Sequence, residues 1–347
     1  MRKLVTLRKV SAVDPIKDAD FIVAVTIDGW RCVAKKGEMA VGDKIIYFEI
    51  DSFLPAENPA FAFLSKDFRE YNGAMGARLR TVRLKGVLSQ GLALPVTSFP
   101  DIDFTQYNTG DDLTDILGVT KWEPPMPAQM AGEARGLFPS YIPKTDSERI
   151  QNFPDIFTEH GDKEWECSIK IDGSSHTCYY GGFEGDIHFG VCSRNYELKD
   201  NPNNTLWKMA RKYKLDEVLP LLDHRYAIQS EIYGEGIQDN IEKIKGHALA
   251  VFNVYDITEG RYLLPMERVA FINHINSNYG CGLEMVPILE TIILNDKFKT
   301  IQDILDYAEG PSLNKNTKRE GVVFKHTESN LNFKAISNSF LLGNKNK

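Results

Sequence analysis

The sequence is poor in several features, and each shortage removes a class of function. No apolar run reaches the roughly 20 residues that a membrane-spanning helix needs, so no membrane partner is expected. The first ten residues are basic but alternate polar with apolar, which predicts a strand rather than a secretory signal. Cys32, Cys167, Cys178, Cys192 and Cys281 are odd in number, scattered and without C-x-x-C spacing. That pattern argues against a disulfide frame or a zinc site and for an intracellular, reducing compartment. The 7 histidines form no H-E-x-x-H string, so a built-in transition-metal site is not expected. Positive charge is not in excess: 41 basic against 48 acidic residues leave a net charge of −7. Any contact with nucleic acid must therefore come from local patches. There is no internal repeat and no low-complexity tract.

What remains is a chain of 347 residues with ordinary apolar and charged fractions, long enough for two domains with a core each. Residues 1–118 read as all-β. Leu4–Val10, Phe21–Ile27 and Trp30–Ala34 are strand-like, with Asp28-Gly29 as a hairpin turn between the last two. Lys44–Ile50, Arg78–Lys85 and Gly91–Leu94 follow, with a long irregular segment, Pro55–Ala77, in between and a short helix, Asp111–Leu117, at the end. Several short strands with one long loop predict a barrel of the OB type. Arg78, Arg80, Arg83 and Lys85 form a basic group in it, with Arg78 and Arg80 expected on one strand face to track a phosphate backbone. Residues 119–142 are proline-rich and read as a linker. Residues 143–347 mix strands with helices at Leu206–Lys212, Met266–Asn276 and Ile301–Ala308, an α+β pattern.

Chemistry concentrates in this second part. Lys170-Ile171-Asp172-Gly173 follows a strand-like Glu166–Ile169 and sets an amine beside a carboxylate and a glycine. A lysine nucleophile needs its amine deprotonated, and only about one in a thousand is so at neutral pH without help. Asp172 alone pushes the wrong way, so other lysines and a divalent cation must supply the correction. Ser193-Arg194-Asn195 offers a guanidinium that forks onto phosphate or ribose. Ser230–Gly236 places Glu231 at the end of an apolar strand, where it suits a ribose hydroxyl or metal-bound water. Val251–Asp256 carries two aromatic rings, Phe252 and Tyr255, either of which would stack on a base. In Arg319–Lys325, strand alternation puts Val323 and Lys325 on one face and Val322 and Phe324 on the other, so that either valine would meet a base and Lys325 a phosphate. Asn332–Ile336 is a last strand with Lys334 embedded in it.

The ordered set KIDG, SRN, SEIYGEG, VFNVYDI, REGVVFK and NFKAIS, spanning residues 166–335, resembles the motifs of the covalent nucleotidyltransferase superfamily of ATP-dependent DNA ligases, RNA ligases and capping enzymes. The resemblance implies an OB-type barrel followed by a nucleotidyltransferase (ATP-grasp-like ligase) domain. It implies ATP and Mg²⁺ or Mn²⁺ as cofactors and adenylylation of Lys170. It further implies that Glu231 contacts ribose or metal waters, that Asp172 and Glu320 hold metal waters, and that Lys325 and Lys334 grip the α-phosphate. Tyr255 is the expected adenine-stacking ring, with Phe252 in reserve. Ser168, Ile169, Ser175, Val322 and Arg194 are expected to complete the nucleotide site.

Three departures point to the RNA-ligase branch. Ser175 stands where DNA ligases and capping enzymes carry arginine. The barrel precedes the catalytic domain, and the dozen or so residues after Lys334 are too few for another. Asn332 stands where the family's last motif often has a first lysine. The string Lys144–Asn152 also resembles one in the two-domain RNA ligases known from Deinococcus and Naegleria, and Arg149 within it is expected to hold the β- or γ-phosphate of ATP. The expected partner is RNA or a nicked duplex with an RNA 3′-hydroxyl end, and the expected state is a monomer. The rival readings are a capping-type guanylyltransferase and a non-catalytic OB nucleic-acid-binding protein. The complete lysine and glutamate set speaks against the latter.

Overall fold

The computed structural model describes residues 2–124, 132–183 and 185–343. The chain divides into two units, Met1–Pro125 and Met126–Lys347. Residues 125–131 of the expected linker and the basic tail beyond Gly343 lie outside the described residues.

The first unit carries β1 (Val5–Lys9), β2 (Ala12–Pro15), β3 (Ile22–Ile27), β4 (Trp30–Lys35), β5 (Lys44–Phe48), β6 (Ser52–Pro55), β7 (Arg69–Tyr71), β8 (Ala74–Arg78), β9 (Thr81–Leu84), β10 (Val87–Gln90), β11 (Leu92–Pro95) and β12 (Thr120–Lys121). They pair as β2-β3-β4, β1-β5-β11, β12-β6-β8-β7 and a β9-β10 ribbon. The turn between β3 and β4 takes Asp28 and Gly29 at φ 48° and 83°, the left-handed pair that a two-residue hairpin demands. Strand β5 is buried on both faces. Ile46 and Phe48 pack with Leu7, Leu54 and Phe61, while Ile45 and Tyr47 pack with Val25, Ile27 and Trp30.

The expected helix at Asp111–Leu117 does not form. Thr114 spends its amide and hydroxyl on Asp112, and the hydroxyl also accepts from the amides of Leu4 and Val5 at 3.0 and 3.2 Å. Local side-chain bonds of this kind compete with the helical ladder. The segment Pro55–Ala77 is also more ordered than expected, with a 3₁₀ turn at Pro59–Asp67 capped by Asn58 and the hairpin β7-β8. Arg78 and Arg80 do not share a strand. Arg78 ends β8, bound to Asp51 at 2.5 Å and lying 3.6 Å over the Trp122 ring, whereas Arg80 sits between strands.

The second unit carries β13 (Ala134–Leu137), β14 (Glu148–Arg149), β15 (Glu164–Lys170), β16 (Ser174–Gly181), β17 (His188–Cys192), β18 (Tyr196–Leu198), β19 (Tyr226–Gly234), β20 (His247–Asp256), β21 (Arg261–Tyr262), β22 (Glu284–Met285), β23 (Ile288–Ile293), β24 (Gly321–His326) and β25 (Asn332–Ile336). One sheet runs β13-β18-β17-β16-β19-β20-β21 with β22 beside β20, and the other runs β14-β25-β24-β15-β23. Helices Thr205–Lys212, Pro265–Tyr279 and Ile301–Ala308 cover them. Asn204 caps the first by accepting from Leu206 and Trp207 amides, and Thr300 with Asp303 forms a reciprocal cap on the third.

Register in the smaller sheet sorts its residues into two faces. Paired residues of an antiparallel ladder share a face. Trp165, Cys167, Val322, Phe324, Phe333 and Ala335 share the fully buried one, packed against Ile304, Leu305 and Ala308 of the third helix. The opposite face carries Glu166 beside Lys325, Ser168 beside Val323, Lys170 beside Gly321, and Lys334 beside both Val323 and Arg149. Glu166 is fixed there by Arg268 of the long helix, at 2.6 and 2.8 Å, with side chains 7% and 1% exposed.

That buried pair should hold β15 in place. Arg268→Met removes the guanidinium and should lower unfolding free energy by about 3 kcal/mol, because Glu166 is left buried with its charge poorly compensated. Urea unfolding measures it, and a loss under about 1 kcal/mol would show that the pair does not hold the strand.

Candidate active site

Lys170 is the last residue of β15, and the chain turns through Ile171–Gly173 into β16. A side chain at Gly173 would meet the Ile232 carbonyl at 2.4 Å and Glu231 Cγ at 2.8 Å. Glycine is therefore what lets the turn press against β19. Gln238 of a neighbouring loop donates to the Gly173 carbonyl at 3.1 Å and closes the turn from outside.

The Lys170 amine lies 2.6 Å from Glu320, the two side chains being 26% and 17% exposed. Burial works against its charge. Glu320, Glu231 and Asp172 together outweigh burial and hold the ammonium above the ordinary lysine range. The carboxylates feel the converse strain. Burial, then Glu320, pushes Asp172 up to about 6 despite Lys170. Burial pushes Glu231 up to about 7, with Lys170 pulling the other way and Glu320 and Asp172 adding to the rise. Two atoms here are buried with no hydrogen-bond partner among the described residues: Asp172 Oδ2 and Ser175 Oγ. Ser175 stands opposite Glu231 in the β16-β19 ladder.

A second, cationic group flanks this one. Lys334 is pulled down to about 8, first by burial and then by Lys170, with Arg149 and Arg194 adding to the fall and Asp146 resisting it. Arg149 is in register with Lys334 across the β14-β25 pair. Arg194 donates to both oxygens of Asp146 at 2.8 and 2.9 Å.

Other expected site residues lie elsewhere. Val322 is fully buried in the core under the third helix, on the wrong face of β24, and Val323 takes the groove side beside Ser168 and Lys334. Tyr255 is 9% exposed, packed with Tyr179, Phe138 and Ala227 and edge-on to Tyr262 at 5.1 Å. Phe252 is the half-buried ring of that strand, 5.8 Å from the Lys325 amine. Lys325 is not beside Lys170. It lies four residues along the ladder, half-buried beside Glu166, and donates to the Phe252 carbonyl and Asn253 Oδ1. Burial holds its amine far below the lysine range, with Arg268 adding to the fall. Ile169 is buried, its amide bonded to the Pro287 carbonyl at 3.0 Å. Ser168 stays on the groove face, its hydroxyl 3.4 Å from the Val323 carbonyl.

Sequence reading missed Glu166, Arg268, Asn253 and Asp146. Glu166 was within reach, since it shares the alternation of Ser168 and Lys170. The others become visible only once helix, loop and sheet are brought together. No three His, Cys, Asp or Glu side chains among the described residues are gathered closely enough to ligate a metal directly. Asp172, Glu231 and Glu320 nevertheless leave excess negative charge around one lysine, with an unpartnered carboxylate oxygen. That donor set fits a hard cation bound through its waters.

Comparison with known proteins adds to this geometry. Residues 4–96 match a family model described as an OB-fold domain, and residues 163–340 match one described as RNA ligase. A structure of Naegleria gruberi RNA ligase with pyrophosphate is similar at a TM-score of 0.84 and 46% identity over 100% of both chains. A lysine-to-methionine mutant of that ligase with AMP and Mn is similar at 0.85 and 45%, again over 100% of both chains. A lysine-to-alanine mutant with ATP and Mn matches at 0.85 and 45%, over 99% of this chain and 100% of that one. No curated protein matches the chain.

The raised Glu231 carboxyl carries a stability consequence. Its folded value near 7 lies above the ordinary carboxylate range, so the folded state prefers the protonated form. Stability should therefore fall as pH rises from about 4.5 through 7 and stay lower above. Glu231→Gln removes that cost and should stabilise the protein by about 2 kcal/mol at pH 8, with little change at pH 4.5. Thermal melts at the two pH values decide it; equal shifts at both would refute the charge account.

Proposed function

The chain belongs to the RNA ligase family, and from that premise we propose that it repairs breaks in RNA by joining a 3′-hydroxyl to a 5′-phosphate through a lysyl–AMP on Lys170. It is an ATP-dependent RNA ligase with an N-terminal OB-fold domain. The observation that carries the finer reading is the Lys170 amine bound to Glu320, between a carboxylate group and a cationic one.

The first step needs the Lys170 nitrogen to attack the α-phosphorus of ATP as pyrophosphate leaves in line. Lys334, on the same sheet face as Lys170 and one strand removed from it, supports a role in neutralising the α-phosphate. Arg149 and Arg194 support binding of the leaving phosphates, since a guanidinium forks onto phosphate oxygens. Glu231 and Ser175, facing each other across a ladder, support contact with the ribose. Phe252, rather than Tyr255, is our choice for stacking on the adenine, with Ser168 and Val323 on the facing strands. Lys325, four residues from Lys170 along the ladder and bonded to the Phe252 carbonyl, is not assigned to the α-phosphate. Asp172, Glu231 and Glu320 would hold Mg²⁺ or Mn²⁺ through water. Such an ion offsets the carboxylates that keep Lys170 protonated and neutralises charge developing on the phosphates. In the second step the AMP passes from Lys170 to the 5′-phosphate of the RNA, and in the third the 3′-hydroxyl displaces it.

Two assays test this: adenylylation of the protein with labelled ATP, and sealing of a nick already carrying the 5′ adenylate. Lys170→Met should abolish the first and spare the second. Arg149→Ala should slow the first at least about tenfold and spare the second, because no pyrophosphate is present by then. Labelling of the Lys170→Met protein, or labelling by GTP instead of ATP, would sink the assignment.

For the RNA itself we favour the β9-β10 ribbon. Arg80, Arg83 and Lys85 are exposed, and among the described residues no carboxylate comes within ion-pairing distance of them. Val82 and Leu84 alternate with Arg83 and Lys85, each 42% exposed. Such a ribbon suits a phosphate backbone and sugar edges. Replacing Arg83 and Lys85 by alanine should weaken nick sealing and lower its salt dependence by a slope of about 1–2, leaving adenylylation intact. An unchanged salt slope would remove the ribbon from RNA binding. The five cysteines are free and buried, which supports a reducing compartment.

A further inference from the structure

The cationic group beside Lys170 is held in place by an anion of the protein's own. The Arg194 charge bears on both Lys334 and Glu231, and its terminal nitrogen is bound to both Asp146 oxygens at 2.8 and 2.9 Å. Asp146 in turn acts on Lys334. A pocket beside it is lined by Lys144, Asp146, Ser147, Asn253, Lys325 and Asn332. The Asp146–Arg194 pair is open to water, with side chains 45% and 61% exposed. An exposed pair of this kind is weak and readily exchanged.

We propose that Asp146 is a positioning residue for the pyrophosphate half of the reaction: it holds Arg194 at the phosphate site, yields it to the β- and γ-phosphates of ATP, and reclaims it as pyrophosphate departs. This rests on the reading of Arg149, Arg194 and Lys334 as the phosphate-binding group. Pyrophosphate offers Arg194 more charge and more acceptor oxygens than one carboxylate, so the guanidinium transfers to it. With Arg194 drawn away, the Asp146 carboxylate faces a polyanion and weakens the hold on the leaving group. Step one is reversible by pyrophosphate, and a built-in competitor for Arg194 speeds the departure of pyrophosphate and weakens its return.

The segment that carries Asp146 does not depend on this pair for its place. The Pro143 carbonyl accepts from Gln229 at 2.8 Å, Lys144 donates to Asn195 at 3.2 Å, and Arg149 is paired along β25. Asp146→Asn therefore removes charge without unseating the chain.

The test uses the full-length protein and pyrophosphate itself. Asp146→Asn should make pyrophosphate a tighter inhibitor of Lys170 adenylylation, by about fivefold, and speed release of ATP from the preformed lysyl–AMP protein at low pyrophosphate. Sealing of a pre-adenylylated nick should not change, and Asp146→Glu should restore the original inhibition. In an Arg194→Ala background most of the gain should vanish, since the exchange has lost its guanidinium. If Asp146→Asn leaves inhibition unchanged or weaker while Arg194→Ala weakens it, the exchange is wrong. A gain undiminished in the Arg194→Ala background would reduce Asp146 to a bare charge and overturn the proposal equally. If Arg194→Ala itself leaves pyrophosphate inhibition untouched, the underlying reading of the phosphate site fails instead.

Discussion

One lysine facing three carboxylates is the constraint around which the catalytic unit is arranged. Lys170 sits 2.6 Å from Glu320 and within the influence of Glu231 and Asp172. The group is unbalanced: its lysine is held charged, while Asp172 and Glu231 are pushed toward their neutral forms. A site of this kind is stable only if the fold fixes it from several sides, and it becomes reactive when further positive charge arrives. The cost of assembling it is carried by the apolar face of the same sheet, where Trp165, Val322, Phe324 and Phe333 are fully buried.

Charge in this unit changes from one group to the next. Near Lys170 the carboxylates dominate. Beside them Lys334, Arg149 and Arg194 form a cationic stretch, tempered by Asp146. Farther along the ladder Lys325 joins the buried Arg268 and Glu166 in a set that bonds the two sheets together through the Phe252 carbonyl. Catalysis of phosphoryl transfer is largely positioning and charge neutralisation, and the roles proposed for these residues rest on this grading.

The first unit is built on a different principle. Its central strand, β5, is buried on both faces, which is how a small barrel obtains a core from short strands. Arg78, which looked like part of a basic tract, is committed to Asp51 and Trp122, and the exposed cations are left on the β9-β10 ribbon.

Much of this was legible in the sequence because it depends on local order. Strands and helices of the second unit follow alternation and 3.6-residue periodicity, and the helix Ile301–Ala308 forms where the pattern put it. The turn after Lys170 needs glycine for a close approach, and the spacing of Lys170, Glu231, Glu320 and Lys334 is written in the chain order. The family itself followed from that order. What the sequence could not decide was which face and which depth each residue takes. Val322 and Val323 are equivalent in composition, and only the register of β24 against β15 and β25 sends one to the core and the other to the groove. Phe252 and Tyr255 share a strand, and only packing against Tyr179 and Tyr262 buries the second. Lys325 and Lys334 both carry an amine on one face, and only the ladder sets one against Glu166 and the other between Val323 and Arg149. Residue type and spacing are properties of the chain; distance between residues far apart along it, and the electrostatics that follow from distance, exist only in the folded sheets.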